Sequence, residues 1–125
     1  MKRKTPRTPN RPSPDDLRDK LRRFAAQRDW EQFHTPKNLA MALTVEAAEL
    51  QECFQWLTPE QCETLSPADR RAVEEEIADV LLYLIRLSDV LDIDRLQAAR
   101  RKLVINARKY PVRLAKGSSR KYSRR

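Results

Sequence analysis

Apolar residues recur every three or four positions from residue 15 onward, and prolines stand at the edges of the apolar segments. This spacing is typical of amphipathic helices bounded by helix-breaking residues. Four main helices are predicted, from Pro14 to about Gln27, from Pro36 to Leu57, from Pro67 to Leu91, and from about Asp94 to Pro111. No segment alternates in the way of a half-buried strand, so the predicted fold is an all-α bundle of four main helices.

The third predicted helix differs from the others because its apolar residues cover more than one face. They are Val73, Ile77, Val80, Leu81, Leu84, Ile85 and Leu91. A helix that is apolar on several faces is packed by neighbours on several sides, so this one is expected to be central. Its start is marked by Ser66 as N-cap before Pro67, with Asp69 as the acid of a capping box.

The net charge of +8 is concentrated at the two ends of the chain. Residues 1–14 hold five basic residues and 112–125 hold six, with no acid in either, whereas 15–111 hold 15 basic and 18 acidic residues. We expect two disordered basic tails around a single domain at 15–111. Such tails either solubilise the chain or contact nucleic acid; the first interpretation is favoured because aromatic residues are nearly absent from them.

Several classes of site are excluded by composition. The single glycine, Gly117, leaves no Gly-rich loop for phosphates, and the single histidine, His34, leaves no histidine-based zinc site. There is no second pair of cysteines beside Cys53 and Cys62, so they indicate neither a zinc site nor a disulfide framework. We expect both to be free thiols in a reducing compartment. Without a long apolar run or a secretion signal, we expect a cytoplasmic protein with no membrane partner.

Four acidic residues border the predicted apolar faces. Glu46 and Glu49 are three positions apart on the second helix, and Glu76 and Asp79 repeat this spacing on the third. If the two helices pack, the carboxylates repel each other unless a cation neutralises them. Oxygen ligands favour Mg²⁺, with Mn²⁺ as a substitute. The alternative is surface acids paired with basic neighbours, which is weakened because residues 46–51 and 73–85 contain no Lys or Arg.

The same residues carry a resemblance to a known family. The motifs EAAE at 46–49 and EIAD at 76–79 resemble the paired metal ligands of the all-α nucleoside triphosphate pyrophosphohydrolases related to MazG. The chain is most similar to the dCTP pyrophosphatase branch, through FAAQRDWEQFHTPKNL at 24–39, ECFQW at 52–56, EEEIADVLLYLIRL at 74–87, KLVINARKYP at 102–111 and SSRKY at 118–122.

The resemblance implies an activity and an assembly. The reaction is Mg²⁺-dependent hydrolysis of a nucleoside triphosphate, dCTP or a modified dCTP, to the monophosphate and pyrophosphate. The family also implies a homodimer or homotetramer whose active sites draw on neighbouring subunits.

Roles for individual residues follow from the same resemblance. It implies the metal ligands and catalytic carboxylates Glu46, Glu49, Glu76 and Asp79, and triphosphate contacts for Lys102, Asn106 and Tyr110. From the chemistry of the reaction we further expect Glu49 to be the proton acceptor, and Arg108 and Lys109 to offset charge on the leaving pyrophosphate. The implied residues around the nucleobase are Trp30, Trp56, Tyr83 and His34. For the two tryptophans, ordinary core packing is the alternative.

Two departures from the family pattern bear on these expectations. Val45 stands where many members have a further glutamate, and Leu21 where the animal enzymes have a histidine, so metal number and base selectivity are left open. Three other functions also stay open at this point: a broader pyrophosphatase for deoxynucleoside or noncanonical triphosphates, a nucleic-acid-binding module that uses the tails, and a helical assembly protein without metal.

Overall fold

The structure is a computed structural model that describes residues 11–121. Its helices are α1 (Pro14–Gln27), α2 (Pro36–Glu52), α3 (Pro59–Glu63), α4 (Pro67–Val90), α5 (Arg95–Lys109) and α6 (Val112–Ala115). The described residues contain no strand, so the predicted all-α class with four main helices is confirmed. None of the helices between residues 11 and 121 is long and apolar enough to cross a membrane.

Two units divide the chain, one ending at Asp92 and the other beginning at Ile93. In the first unit α4 packs against α2 and, less extensively, against α1. The expectation that this helix has neighbours on more than one side is therefore met within the first unit. The second unit contains α5 and α6.

The first four helices begin with the same local signal, a Ser or Thr followed by a Pro. The capping residues are Ser13, Thr35, Thr58 and Ser66, and the hydroxyl of each accepts a hydrogen bond from the backbone N–H three residues later. The following proline has no N–H to leave unpaired and already has helical φ. At α4 the hydroxyl of Ser66 accepts from the N–H of Asp69 at 3.2 Å, which is one half of the predicted capping box.

The predicted second helix is wrong at its C-terminal end. In the structure α2 stops at Glu52, and the residues from Cys53 to Leu57 form turns. In these turns the N–H of Cys53 donates to the carbonyl of Leu50, and the N–H of Phe54 donates to the carbonyl of Gln51. The segment between Leu57 and Pro67, where the sequence predicts no helix, contains α3. A capping box of Thr58 and Gln61 starts this short helix, and that local signal overrides continuation of α2.

The second unit begins at a helix that the sequence locates well. Asp94 caps α5 by accepting from the N–H of Gln97 at 3.0 Å, and Arg108 and Lys109 lie in its last turn, where cations offset the helix dipole. The short helix α6 falls inside the segment 112–125 that the sequence assigns to a disordered tail. The described part of this tail therefore begins with one helical turn. The rest of the tail after residue 121, and residues 1–10 of the N-terminal tail, lie outside the described residues.

The core of the first unit is small. Among the described residues only Ala25 of α1, Leu39 of α2 and Ile85 of α4 are buried hydrophobic side chains. Much of the apolar surface of α4 remains accessible, with Ile77 exposed by 51%, and Leu81 and Leu84 by 45% each. The apolar faces that the sequence predicts are thus only partly covered within one chain.

Shortening Ile85 is predicted to destabilise the protein in proportion to the volume removed. Because Ile85 is 1% exposed, Ile85→Val should lower the free energy of unfolding by about 0.5–1.5 kcal/mol and Ile85→Ala by about 2–5 kcal/mol. Urea unfolding at one fixed protein concentration measures both values. A loss below about 0.5 kcal/mol for Ile85→Ala would contradict the burial of this side chain.

Candidate active site

Two carboxylate pairs meet where α2 packs against α4. Residues three apart lie on one side of a helix, so Glu46 and Glu49 share a side of α2, and Glu76 and Asp79 share a side of α4. Glu46, Glu49 and Glu76 each place one carboxylate oxygen within 4.8 Å of those of the other two, and all three residues are half-buried. Asp79 is more exposed and lies outside this group of three. Three of the four predicted ligands are therefore brought together.

The electrostatics of this cluster disfavour its fully ionised form. The pKa of Glu46 is raised to about 7, first because a proton on Glu46 is shared with Glu49, and further by burial and by the negative charges of Glu49 and Asp79. Burial and the charge of Glu49 likewise raise the pKa of Glu76. Within residues 11–121, no ion pair neutralises any of the clustered carboxylates.

Two oxygen atoms in the cluster have no hydrogen-bond donor. The Oε2 atoms of Glu46 and Glu76 are buried and have no partner among the described residues. Buried polar atoms are normally satisfied, and carboxylate oxygens that converge without donors suit a hard divalent cation. The residues present therefore fit a divalent metal ion.

A pocket of about 390 Å³ lies in the first unit beside this cluster. It is lined by Leu17, Lys20, Leu21, Phe24, Trp30, His34, Asp79, Leu82, Tyr83 and Arg86. Asp79 belongs both to the pocket wall and to the carboxylate-bearing side of α4. The pocket thus combines mainly apolar walls with a few polar groups, as is typical of small-molecule sites.

Trp30 is held at the pocket by the way α1 ends. The N–H of Trp30 donates to the carbonyl of Ala25 at 2.9 Å, and the N–H of Asp29 to that of Ala26 at 3.2 Å, which is the Schellman pattern. Asp29 takes the left-handed conformation, φ 53°, that glycine usually occupies there. The indole then meets the ring of Phe24 edge to face, with centroids 5.6 Å apart. Trp30 is 43% exposed, so part of the indole remains accessible.

A chain of polar contacts leads from the pocket wall to residues behind it. Nε of Arg86 donates to Nδ1 of His34 at 3.0 Å, and Arg22 donates to both oxygens of Asp89 at 2.8 and 2.5 Å. Asp89 is also 3.5 Å from Nη1 of Arg86. The hydrogen bonds from Arg22 lower the pKa of Asp89 and outweigh the opposing effect of burial. Burial, together with the positive charge of Arg86, lowers the pKa of His34.

The predicted base-binding residues divide into two groups. Trp30, His34 and Tyr83 all line the pocket. Trp56 lies in the turns after α2, is 86% exposed, and is absent from the pocket wall as the described residues form it. The alternative of core packing is therefore wrong for Trp56 within one chain, whereas its contact with a base stays a prediction.

The predicted phosphate-binding residues belong to the second unit. Lys102 is exposed and Asn106 half-buried one turn later on α5, and the N–H of Tyr110 donates to the carbonyl of Asn106 at 2.9 Å. Lys109 is the last residue of α5. The roles assigned to these four residues remain predictions from the resemblance.

Sequence reasoning missed several residues of the pocket wall. Leu17 and Phe24 share an apolar face of α1 that the spacing assigns to the core, although part of this face lines the pocket. Arg86 could have been noticed in the sequence, because its charge interrupts the apolar run VLLYLIRL at residues 80–87. A lone arginine in such a run needs a buried acceptor, which the sequence alone does not locate.

The fold and the site together define an all-helical protein with two facing carboxylate pairs beside an apolar pocket. Comparison with known proteins places this class in a family. The MazG-like family matches residues 41–124, and the chain belongs to that family. The resemblance drawn from the sequence motifs is thereby confirmed.

Named relatives support the narrower branch. The chain is 46% identical over 114 residues to dCTP pyrophosphatase 1 of Homo sapiens and 43% identical over 114 residues to that of Mus musculus, which covers 90% of this chain and 67% of each relative. It is also similar to the crystal structure of a pyrophosphatase from Archaeoglobus fulgidus. That comparison has a TM-score of 0.65 and 45% sequence identity, and it covers 78% of this chain and 91% of the other.

The raised pKa of Glu46 predicts that the metal-free protein loses stability as the pH rises. Its carboxyl has a pKa of about 7 when folded against an ordinary value of 4.5, so the unfolded chain releases this proton first as the pH increases. Stability is therefore lost between these two values. In EDTA, Glu46→Gln should raise the Tm relative to wild type at pH 8 and much less at pH 5. Equal differences at both pH values would contradict the raised pKa.

Proposed function

We propose that this protein is a Mg²⁺-dependent pyrophosphohydrolase that cleaves dCTP or a modified dCTP to the monophosphate and pyrophosphate. The observation that carries the proposal is the carboxylate cluster of Glu46, Glu49 and Glu76, with its two buried oxygens that lack donors, beside an aromatic-walled pocket. The named dCTP pyrophosphatases at 42–46% identity support the same substrate.

The carboxylates perform two tasks in this proposal. Glu46, Glu49 and Glu76 hold the metal, together with Asp79, which stands between the cluster and the pocket. Mg²⁺, or Mn²⁺ in its place, supplies charge neutralisation for the triphosphate and a lower pKa for a bound water. Glu49 is our candidate to accept the proton of the attacking water, since it lies beside Glu46, which shares protons with it.

The remaining residues bind the two ends of the nucleotide. Trp30 offers an accessible indole on which a pyrimidine ring can stack, and Tyr83 and His34 add polar groups to the same pocket. Trp56 is proposed to cover the base from outside the pocket. By resemblance, Lys102, Asn106 and Tyr110 contact the triphosphate, and Lys109 offsets charge on the leaving pyrophosphate. A cytoplasmic location stays a prediction from the sequence, with which the two free cysteines agree.

Incubation with a panel of nucleoside triphosphates and Mg²⁺ tests the proposed function. We expect dCMP and pyrophosphate in equal amounts from dCTP, and no products when EDTA replaces the metal. Comparable rates on all deoxynucleoside triphosphates would favour the broader pyrophosphatase. Release of orthophosphate instead of pyrophosphate, or no turnover of any nucleotide, would reject the proposal.

Variants of the cluster make the same test specific. Glu49→Ala should lower kcat more than tenfold, because it removes a proposed metal ligand that also accepts the proton. A tenfold loss corresponds to about 1.4 kcal/mol of activation free energy. The matched control is Glu75→Ala, which removes an exposed acid on α4 next to Glu76 and outside the cluster. Similar activities in the two variants would remove Glu49 from the site.

We also propose that the protein assembles as a homodimer or homotetramer. This accounts for the accessible apolar residues Ile77, Leu81 and Leu84, which follow one another at helical spacing on α4. Light scattering should give a mass of twice or four times 14.7 kDa. Leu81→Asp should lower that mass and Ala72→Asp, an exposed position on the same helix, should not. A wild-type mass of one chain would contradict the assembly.

A further inference from the structure

His34 is the only histidine of the chain, and its ring is enclosed on two sides at the pocket wall. The indole of Trp30 stands edge-on to it with ring centroids 6.2 Å apart. On the other side, Nε of Arg86 donates to Nδ1 at 3.0 Å. The backbone N–H of His34 donates to the carbonyls of Trp30 and Glu31, at 3.1 and 3.2 Å. Both the backbone and the ring of His34 are therefore held in place.

The contact with Arg86 decides which nitrogen of His34 carries the proton. A guanidinium group can only donate, so Nδ1 must present its lone pair, and the neutral ring then carries its hydrogen on Nε2. Protonation of Nδ1 would set two donors against each other, which disfavours the cationic ring. The lowered pKa of His34 agrees with this assignment. The other charged or titratable groups of the pocket wall are Lys20, Asp79 and Tyr83.

Arg86 is itself fixed, which a positioning role requires. It is 8% exposed although it carries a charge, and its Nη1 lies 3.5 Å from Asp89, one turn later on α4. Asp89 is held in turn by two hydrogen bonds from Arg22 of α1. A buried guanidinium needs such partners, since an uncompensated buried charge is strongly destabilising. Arg86 is therefore anchored between α1 and α4 and aims Nε at His34.

We propose that Arg86 is a positioning residue that fixes His34 as an Nε2–H donor to a hydrogen-bond acceptor on the nucleobase. The acceptor is a carbonyl oxygen or an unprotonated ring nitrogen, and cytosine carries both. Arg86 thereby contributes to base selection without touching the reacting phosphates. This inference rests on the proposed function because it requires a nucleobase in the pocket.

Nitrogen-15 NMR of the full chain without a histidine tag tests the tautomer directly. Because His34 is the only histidine, each ring nitrogen gives one signal. We expect the Nε2–H tautomer in the wild type and a titration midpoint below about 6.5, the value of an unperturbed histidine. In Arg86→Met the midpoint should rise and both tautomers should be populated. An Nδ1–H tautomer in the wild type, or an unchanged spectrum in Arg86→Met, would overturn the proposal.

Kinetics with and without a base test the consequence for selection. Arg86→Met should lower kcat/KM for dCTP about three- to tenfold, mainly through KM, as for one lost hydrogen bond to a neutral donor. Hydrolysis of 2-deoxyribose 5-triphosphate, which has no base, should change by less than about twofold. Arg86→Lys should restore part of the loss because an ammonium can also donate to Nδ1. In a His34→Ala background, Arg86→Met should not further change the ratio of kcat/KM for dCTP to kcat/KM for 2-deoxyribose 5-triphosphate.

The matched control is Arg70→Met, which removes an exposed arginine of the same helix that pairs with Glu74. It should leave the spectrum and the substrate ratio unchanged. Equal losses on both substrates in Arg86→Met would show a structural role only and overturn the proposal. Should Arg86→Met fail to fold, two measurements still decide the question: the tautomer of His34 in the wild type, and the ratio of kcat/KM for the two substrates in Arg86→Lys. Failure of the proposed function is distinct, because the wild type would then hydrolyse neither substrate.

Discussion

Repulsion among carboxylates at the contact of α2 with α4 is the constraint on which the site depends. Glu46, Glu49 and Glu76 converge to within 4.8 Å, and no cation of the described residues neutralises them. Such an arrangement is unfavourable unless a proton or a divalent ion enters it. The raised pKa of Glu46 reflects the first solution, and two buried oxygens without donors suit the second. Packing of the two helices thus creates the unmet charge that a metal-dependent hydrolase needs.

The pocket beside the cluster shows the opposite situation, because the buried charge in its wall has a partner of opposite sign. Arg86 is 8% exposed and is compensated by Asp89, which Arg22 holds in place. Nε of Arg86 donates to His34. One side of α4 therefore carries acids that no cation of the described residues neutralises, and the next turns carry a cation with an acidic partner. In the function that we propose, the acids act on the phosphates and the pocket wall recognises the base.

The small core explains why these features coexist with so much accessible apolar surface. Three hydrophobic side chains are buried in the described residues, one each from α1, α2 and α4. Since burial of apolar area is the main favourable contribution to folding, a helix as apolar as α4 needs further cover. Assembly of several chains would supply it.

The sequence by itself determined the helices and the candidate ligands, because both are local. Pro14, Pro36 and Pro67, the last with Ser66 as N-cap, mark helix starts by chemistry that acts within one turn, and the spacing of Glu46 with Glu49 fixes a shared side of α2. The end of α2 and the presence of α3 are predicted wrongly, since apolar spacing continues past Glu52 while the backbone hydrogen bonds change there to those of turns. Only the tertiary structure decided that Trp30, His34 and Arg86 meet at one pocket and that Trp56 stays outside it. The contact of His34 with Arg86 joins residues 52 positions apart, where no periodicity along the chain constrains the distance.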